Sequence, residues 1–482
     1  MTDLALLLDI GSTFTKALAC DLVSGAVVGR TQAHTTAKSD VMWGVRKCLQ
    51  NLESLGLPGS LETSGYRHRY ATSSAAGGLR MVVIGLTRGL TARAAREAAT
   101  GAGARIYGVF AGKLGPETVG EIARADPDIV LFTGGIDGGN EDTVLDNARA
   151  LARLGTRVPV VVACNSSVSG RVSEVLSLGG LEVHAARNVM PRLDVLDATP
   201  AREIIREVFM RHIVRAKGLG ELSGYLDMEV MPTPYAVMLG VSVLGARRGD
   251  TVAVDVGGAT TDVYSSAAGD PEESDLIPRG LPDPTLRRTV EGDLGVREGV
   301  SSLLALAQGR VLDAVRTEFR GFDRTALRES AFLRETDTDY LPAGALEEKL
   351  ESELACACID LATRRHAGRV EVEDTPSGPV RYLWGKDLRG ADVLVGTGGA
   401  FVGAWNRGDA TALLRAALYA GDESLRPAAP RFLVDPGYAV FAAGLLSLQH
   451  PEASEGLLEE LVPVRRVGDA GAPGGKGAAR DC

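Results

Sequence analysis

Apolar residues in this chain fall into short solid runs that end on glycine turns, and the same arrangement occurs twice. Leu4-Ala-Leu-Leu-Leu-Asp9 leads into Ile10-Gly11-Ser12-Thr13-Phe14-Thr15-Lys16, and Thr251-Val-Ala-Val-Asp255 leads into Val256-Gly257-Gly258-Ala259-Thr260-Thr261-Asp262. Runs of this length, bounded by turn residues, predict buried strands. Each turn is followed by a second strand beginning at Lys16 or Asp262. Glycine lets backbone N–H groups approach a phosphate, the hydroxyls add donors, and an aspartate can hold a magnesium-bound water. One Asp-x-Gly turn also suits a hairpin; the duplication turns a hairpin signal into a site signal. A third apolar run, Val393-Leu-Val-Gly396-Thr-Gly398-Gly399-Ala-Phe-Val402, ends on glycines that would let an adenine ring lie against the backbone.

Around these landmarks the pattern predicts strands over Leu4–Asp9, Lys16–Asp21, Ala26–Thr35 and Arg69–Ser73, with a helix over Val41–Leu55. From Met81 it changes to alternating strands (Met81–Leu86, Arg105–Phe110, Asp128–Phe132, Val158–Ala163, Leu181–His184) and helices (Ala92–Ala99, Glu117–Ala125, Asp142–Leu154, Gly170–Leu178). That alternation implies an inserted parallel α/β domain with both faces covered. Within it, Thr133-Gly-Gly-Ile-Asp-Gly-Gly-Asn140 reads either as a strand-end turn or as a partner or ligand surface. Helical spacing returns at Pro200–Phe209, and long helices are expected over Ala345–His366 and Gly437–Leu448.

The order of phosphate turn, phosphate turn and adenosine turn resembles the superfamily of sugar kinases, heat-shock-70 chaperones and actin. That resemblance implies an α/β fold of two ribonuclease-H-like halves around an interlobe nucleotide cleft. The expected division is residues 1–80 for the first ATPase half, 81–190 for the insertion and 191–245 for the return to the first half. The second half follows over 246–465, and 466–482 form a tail of Gly, Ala and charge with no buryable face, expected to be disordered.

Composition narrows the classes. A length of 482 residues suits about three domains, and a net charge of −10 without a basic stripe excludes a nucleic-acid backbone as partner. The N-terminus lacks a secretory signal and no stretch reaches membrane-span length, so a cytoplasmic protein with no membrane partner is expected. None of the six cysteines forms Cys-x-x-Cys. Cys20, Cys48, Cys164, Cys356 and Cys358 read as small core residues, and Cys482 as a tail thiol.

Tyr70–Met81, Leu131–Asn140, Ala253–Asp262 and Leu433-Val-Asp-Pro-Gly-Tyr-Ala439 resemble the accessory protein of glutamate (methylaspartate) mutase, and the likeness runs from the first strand to about Leu448. The resemblance implies a nucleotide-dependent, chaperone-like reactivating factor whose partners are adenosylcobalamin-dependent mutase subunits and whose cofactors are ATP and Mg²⁺. Such a factor works by differential affinity for its client in two nucleotide states. The chain itself lacks the Asp-x-His-x-x-Gly cobalamin signature. His68 and His366 read as solvated or capping residues rather than ligands.

Residue by residue, Gly11, Ser12 and Thr13 would wrap one side of the phosphates and Gly257, Gly258, Thr260 and Thr261 the other. Gly396, Gly398 and Gly399 would back the adenosine. Asp9 and Asp255 are the candidates for both catalysis and the metal-water shell; Lys16 reaches phosphate or sits at the surface. Asp262 reads as a strand-edge acid. Where the chaperone branch places a glutamate before Pro-Thr, this chain has Met231 before Pro232, so slow hydrolysis with Asp9 or Asp255 orienting water is expected, or binding without turnover. The competing classes on this fold are a small-molecule kinase and an activator ATPase of radical dehydratases.

Overall fold

The computed structural model describes residues 3–464 apart from 12–13, 36–39, 63–64, 75–78, 100–103, 194, 215–218, 272–274, 280–282 and 338–339. Ser12, Thr13, the 466–482 tail and Cys482 lie outside the described residues. The first apolar run becomes β1 (Leu4–Ile10), buried at every position, as befits a central strand covered on both faces. β2 (Phe14–Asp21) returns antiparallel to it, and β3 (Val27–His34) completes a meander in which half-buried and exposed residues alternate. α1 (Met42–Ser54) buries Met42, Val45, Cys48, Leu49 and Leu52, one stripe of a 3.6-residue repeat. β4 (His68–Ser73) then pairs parallel with β1.

A second sheet follows, built from β5 (Leu79–Gly85), α2 (Arg88–Ala99), β6 (Ala104–Ala111), α3 (Pro116–Ala125), β7 (Ile129–Phe132), α4 (Asp142–Leu151), β8 (Pro159–Val162), α5 (Ser169–Leu178) and β9 (Glu182–Ala185). All its strand pairs are parallel, in the order β6-β5-β7-β8-β9, a doubly wound arrangement. The chain returns through α6 (Thr199–Val214), α7 (Leu219–Ser223) and β10 (Met231–Pro232), which pairs parallel with β4, into α8 (Thr233–Arg248).

The second half repeats the first. β11 (Thr251–Val256) and β12 (Thr261–Ser266) are followed by β13 (Leu276–Arg279), β14 (Leu286–Glu291), α9 (Val300–Arg316), α10 (Arg324–Thr336), α11 (Ala345–His366), β15 (Arg369–Thr375) and β16 (Gly378–Trp384). Then come β17 (Val393–Thr397), α12 (Gly399–Arg407), α13 (Ala410–Ala416), β18 (Arg431–Val434), α14 (Ala439–Leu446), α15 (Pro451–Leu457) and β19 (Val462–Val464). The sheets run β3-β2-β1-β4-β10 and β14-β12-β11-β17-β18, with β19 added to the second. Pairing directions match: two antiparallel pairs, then two parallel ones. This is the two-half ribonuclease-H architecture. β13, β16 and β15 form a separate three-stranded sheet on the second half, which the sequence pattern did not predict.

The halves are joined where α8 and α14 cross. Each helix has a glycine at the crossing: a methyl on Gly240 would overlap the Val440 carbonyl, and one on Gly444 the Ala236 carbonyl. The backbones can therefore approach closely, and one apolar cluster takes in Leu7, Val237, Val241, Ala253, Phe441 and Leu445 from both halves. The crossing places the C-terminal ends of β1 and β11 at a common junction.

Candidate nucleotide and metal site

Both acidic turns close in the same way. The Gly11 N–H donates to the Phe14 carbonyl at 3.0 Å, and the Gly257 N–H to the Thr260 carbonyl at 2.9 Å. Strand register then fixes what faces each aspartate: Lys16 lies opposite Asp9, whereas Asp262 lies opposite Asp255.

Asp9 is buried and hydrogen-bonded at both oxygens. Lys16 Nζ donates to its Oδ2 at 2.8 Å, while Thr72 Oγ1 (3.0 Å) and Thr233 Oγ1 (2.8 Å) donate to Oδ1. Thr72 comes from β4 beside β1, and Thr233 opens α8. Burial works against the Lys16 charge, but the Asp9 carboxylate outweighs it and holds the ammonium protonated. The ammonium also lies 4.1 Å from the ring centroid of Tyr438, a residue in the left-handed conformation (φ 58°) just before α14. Lys16 is thus built into the junction and is not a surface lysine.

Asp255 has no such support. Among the described residues no donor reaches its carboxylate. Thr397, the second-half counterpart of Thr72 by register, donates instead to Asp435 at 3.1 Å. Asp435 also accepts the N–H groups of Ala439 and Val440 at the start of α14. Asp262, buried beside Asp255, is paired with Arg288 at 2.9 Å, which makes it more than a strand-edge acid. Confinement in the junction and the Asp262 carboxylate push the Asp255 carboxyl up to about 7, with Lys16 opposing and Asp9 and Asp435 adding to the rise. When Asp255 is ionised, Asp9, Asp255 and Asp435 face the single ammonium of Lys16, leaving two uncompensated negative charges. A half-buried carboxylate beside like charges and without a partner is costly. The charge deficit and oxygen donors fit a divalent cation such as Mg²⁺, held through water and phosphate oxygens. Among the described residues no group of three or more His, Cys, Asp or Glu forms a direct protein cage.

The other candidates divide. Gly11, Gly257 and Gly258 are half-buried in their turns, and Thr260 contributes its carbonyl to turn closure. Thr261 is fully buried with its hydroxyl committed to the Leu294 carbonyl at 2.8 Å, so this side chain braces the turn from behind. Gly396 lies within β17 under the Phe401 ring. Gly398 (φ +88°) packs directly against Asp255 Oδ1, where a Cβ would overlap the carboxylate, while Gly399 faces open space. The turn therefore presents Gly398 and Gly399 at the junction and keeps Gly396 in the core.

Thr72, Thr233, Asp435, Tyr438 and Arg288 complete the arrangement and were not singled out from sequence. Their signal was partial: Pro232-Thr233 and Asp435-Pro-Gly-Tyr438 sit in recognisable stretches, but only the fold shows which side chains meet Asp9 and Lys16.

His366 requires a correction. It is fully buried, with its ring nitrogens 2.9 Å from Thr289 Oγ1 and 2.9 Å from Ser265 Oγ. Lys386, also buried, donates to the Ala267 and Thr285 carbonyls at 2.8 and 2.7 Å. Together they pin the three-stranded sheet to β12 and β14. His68 is half-buried, its ring 4.7 Å from that of His450. Cys20, Cys48, Cys164 and Cys358 are buried and Cys356 half-buried. Burial pushes the Cys48 thiol up to about 11 and the other four to about 12. A large cleft, about 1260 Å³, opens between the insertion and the second half; none of the acidic-turn residues lines it, although Arg288, the partner of Asp262, does.

Two ribonuclease-H sheets with acidic glycine turns at a shared junction define the fold of the sugar kinases and actin-like ATPases. The MutL protein family matches residues 5–462, and the chain belongs to that family. Protein MutL of Clostridium tetanomorphum is 37% identical over 466 residues, spanning 95% of this chain and 99% of the relative. Solved structures that resemble the chain include nucleotide-free acetone carboxylase (14% identical, 93% of this chain and 70% of that one, TM-score 0.44). Another is gluconate kinase from Lactobacillus acidophilus (11% identical, 96% and 93%, TM-score 0.32). A third is the activator of 2-hydroxyisocaproyl-CoA dehydratase from Clostridium difficile with bound ADPNP (12% identical, 96% and 99%, TM-score 0.29). Among the described residues no helix is long and apolar enough to cross a membrane.

Proposed function

We propose that this protein is a nucleotide-dependent accessory factor that binds Mg²⁺-ATP between its halves and reactivates an adenosylcobalamin-dependent mutase, glutamate mutase foremost, in the cytoplasm. The observation that carries the nucleotide reading is the unsatisfied charge around Asp255 opposite the satisfied Asp9–Lys16 pair. Mg²⁺ supplies charge neutralisation for the phosphates when bound. Asp255 and Asp9 orient its water shell, the Gly258 amide and the turns closed by Gly11 and Gly257 face the phosphates, and Gly398 and Gly399 leave room for the nucleoside. Ser12 and Thr13 are assigned to the phosphate side from sequence alone.

Met231, apolar and buried, stands where a glutamate base would precede Pro232. Turnover is accordingly slow, with Asp255 as the water-orienting group, and the two nucleotide states serve to change affinity for the client. Membership in the MutL protein family and the resemblance to the glutamate mutase accessory protein support the choice of client. The burial of Cys20, Cys48, Cys164 and Cys358 weighs against the dehydratase-activator alternative, because an iron–sulfur cluster is held by thiolates.

The test is to incubate inactivated glutamate mutase with this protein, ATP, Mg²⁺ and fresh adenosylcobalamin and follow recovery of mutase activity. Recovery with the wild type and none with Asp255→Asn is expected. Equal recovery with both proteins rejects the nucleotide mechanism, and phosphorylation of a metabolite without recovery favours the small-molecule kinase reading.

A further inference from the structure

The two walls of the cleft between insertion and second half differ in chemistry. On the insertion side Leu90, Ile106, Tyr107 and Val109 present apolar and aromatic surface, with Tyr107 58% exposed. On the opposite side five arginines (Arg279, Arg287, Arg288, Arg365 and Arg369) stand beside three carboxylates, Asp283, Glu291 and Asp293. Asp262 and Glu373, which pair with Arg288 and Arg279, are not among its lining residues.

Two features of the cationic wall lack partners. Trp384 Nε1 is a buried donor without an acceptor, and among the described residues no carboxylate pairs with Arg369. The Arg279 guanidinium lies 5.4 Å from the Trp384 ring and 4.6 Å from that of Tyr382, forming a flat cationic platform. A donor left unpaired in a cleft wall has a missing acceptor, since buried polar groups are normally hydrogen-bonded. The ion pair Arg93–Asp283, at 3.6 Å, spans from α2 to the second half and ties the walls together. Clefts between domains with apolar walls and a few polar anchors are where small molecules bind.

We propose that this cleft binds an amphipathic organic anion. Its apolar or aromatic body lies against Ile106 and Tyr107, and its carboxylate, sulfonate or phosphate group is held by Arg369 with Trp384 Nε1 donating. Its anchors, Arg369 and Trp384, are not residues of the nucleotide junction, and the proposal does not depend on the nucleotide reading.

The probe is 8-anilinonaphthalene-1-sulfonate, titrated by fluorescence into the full chain at low ionic strength. Saturable one-to-one binding is expected, weakened about tenfold by Arg369→Ala and by Trp384→Phe, since each removes one hydrogen-bonding anchor of an anion. The uncharged analogue N-phenyl-1-naphthylamine should bind about tenfold more weakly for the same reason. Leu178→Ser, at an exposed apolar residue elsewhere on the insertion, should leave the affinity unchanged. Arg369 is exposed, so its variant carries the test even if Trp384→Phe loosens the small sheet. Absence of saturable binding, equal affinity in the Arg369→Ala variant, or equal binding of the uncharged analogue overturns the proposal.

Discussion

The two acidic turns share backbone, closure hydrogen bond and strand register, yet their aspartates are treated in opposite ways. Asp9 faces a lysine and receives two threonine hydroxyls; Asp255 faces a second acid and, among the described residues, receives none. The divergence comes from single positions. Lys16 and Asp262 occupy equivalent places, and the threonine that serves Asp9 in the first half has a counterpart, Thr397, turned to Asp435 in the second. A duplicated fold has thus been divided between a self-neutralised half that holds the junction together and a half that is short of positive charge.

If that division is right, the two aspartates fail differently when replaced. Asp9→Ala leaves the Lys16 ammonium buried without its partner and should cost about 3–5 kcal/mol of stability, read from urea unfolding. Asp255→Asn should not destabilise the fold at pH 8 but should weaken Mg²⁺-nucleotide binding about 100-fold, the equivalent of about 3 kcal/mol, by calorimetry. A large stability loss from Asp255→Asn, with Asp9→Ala mild, would reverse the assignment.

Glycines in the third turn sharpen the contrast. Gly398→Ala puts a methyl against the Asp255 carboxylate at a positive φ, and a loss of about 1–3 kcal/mol is expected in thermal or urea unfolding. Gly399→Ala, one residue on and facing open space, should be near neutral.

The smallest effect is the pH dependence. Confinement and the Asp262 carboxylate push the Asp255 carboxyl up to about 7 in the folded state, above its unfolded value of about 4. The folded state therefore holds this proton more tightly, so its contribution to stability is present below pH 4 and lost as pH rises through 7. Mg²⁺-nucleotide affinity should move the other way, falling about tenfold per pH unit below 7, because the cation competes with that proton. Both dependences should vanish in Asp255→Asn, with unfolding and binding each measured from pH 5 to 9.

The fold was legible in the sequence because its strongest signals are local. Solid apolar runs ending in Asp-x-Gly mark β1 and β11, and 3.6-residue spacing marks α1 and α11, the latter running over Ala345–His366 as expected. Asp142–Leu154 also held, as α4 continued by a short 3-10 turn. The helix expected over Gly437–Leu448 is shorter, Ala439–Leu446, because Tyr438 is left-handed and Asp435 receives the first amides. The three-stranded sheet escaped notice because β13 is four residues long and finds its partner β16 about a hundred residues later. No periodicity records such a pairing. At the site the turns were readable and their satisfaction was not. Thr233 meets Asp9 across 224 residues of chain, and whether Lys16 faces solvent or Asp9 is decided by register and by Tyr438 overhead. His366 looked like a solvated or capping residue at a helix end, yet it is enclosed because α11 packs against β12 and β14.

The measurement closest to the central claim is calorimetric titration of wild type and Asp255→Asn with a non-hydrolysable ATP analogue. It is run with and without Mg²⁺, in two buffers of different ionisation enthalpy at pH 6. The account predicts one Mg²⁺-dependent site that releases about one proton per nucleotide in the wild type and none in the variant. Binding of equal strength in both proteins, indifferent to Mg²⁺ and without proton release, would contradict it.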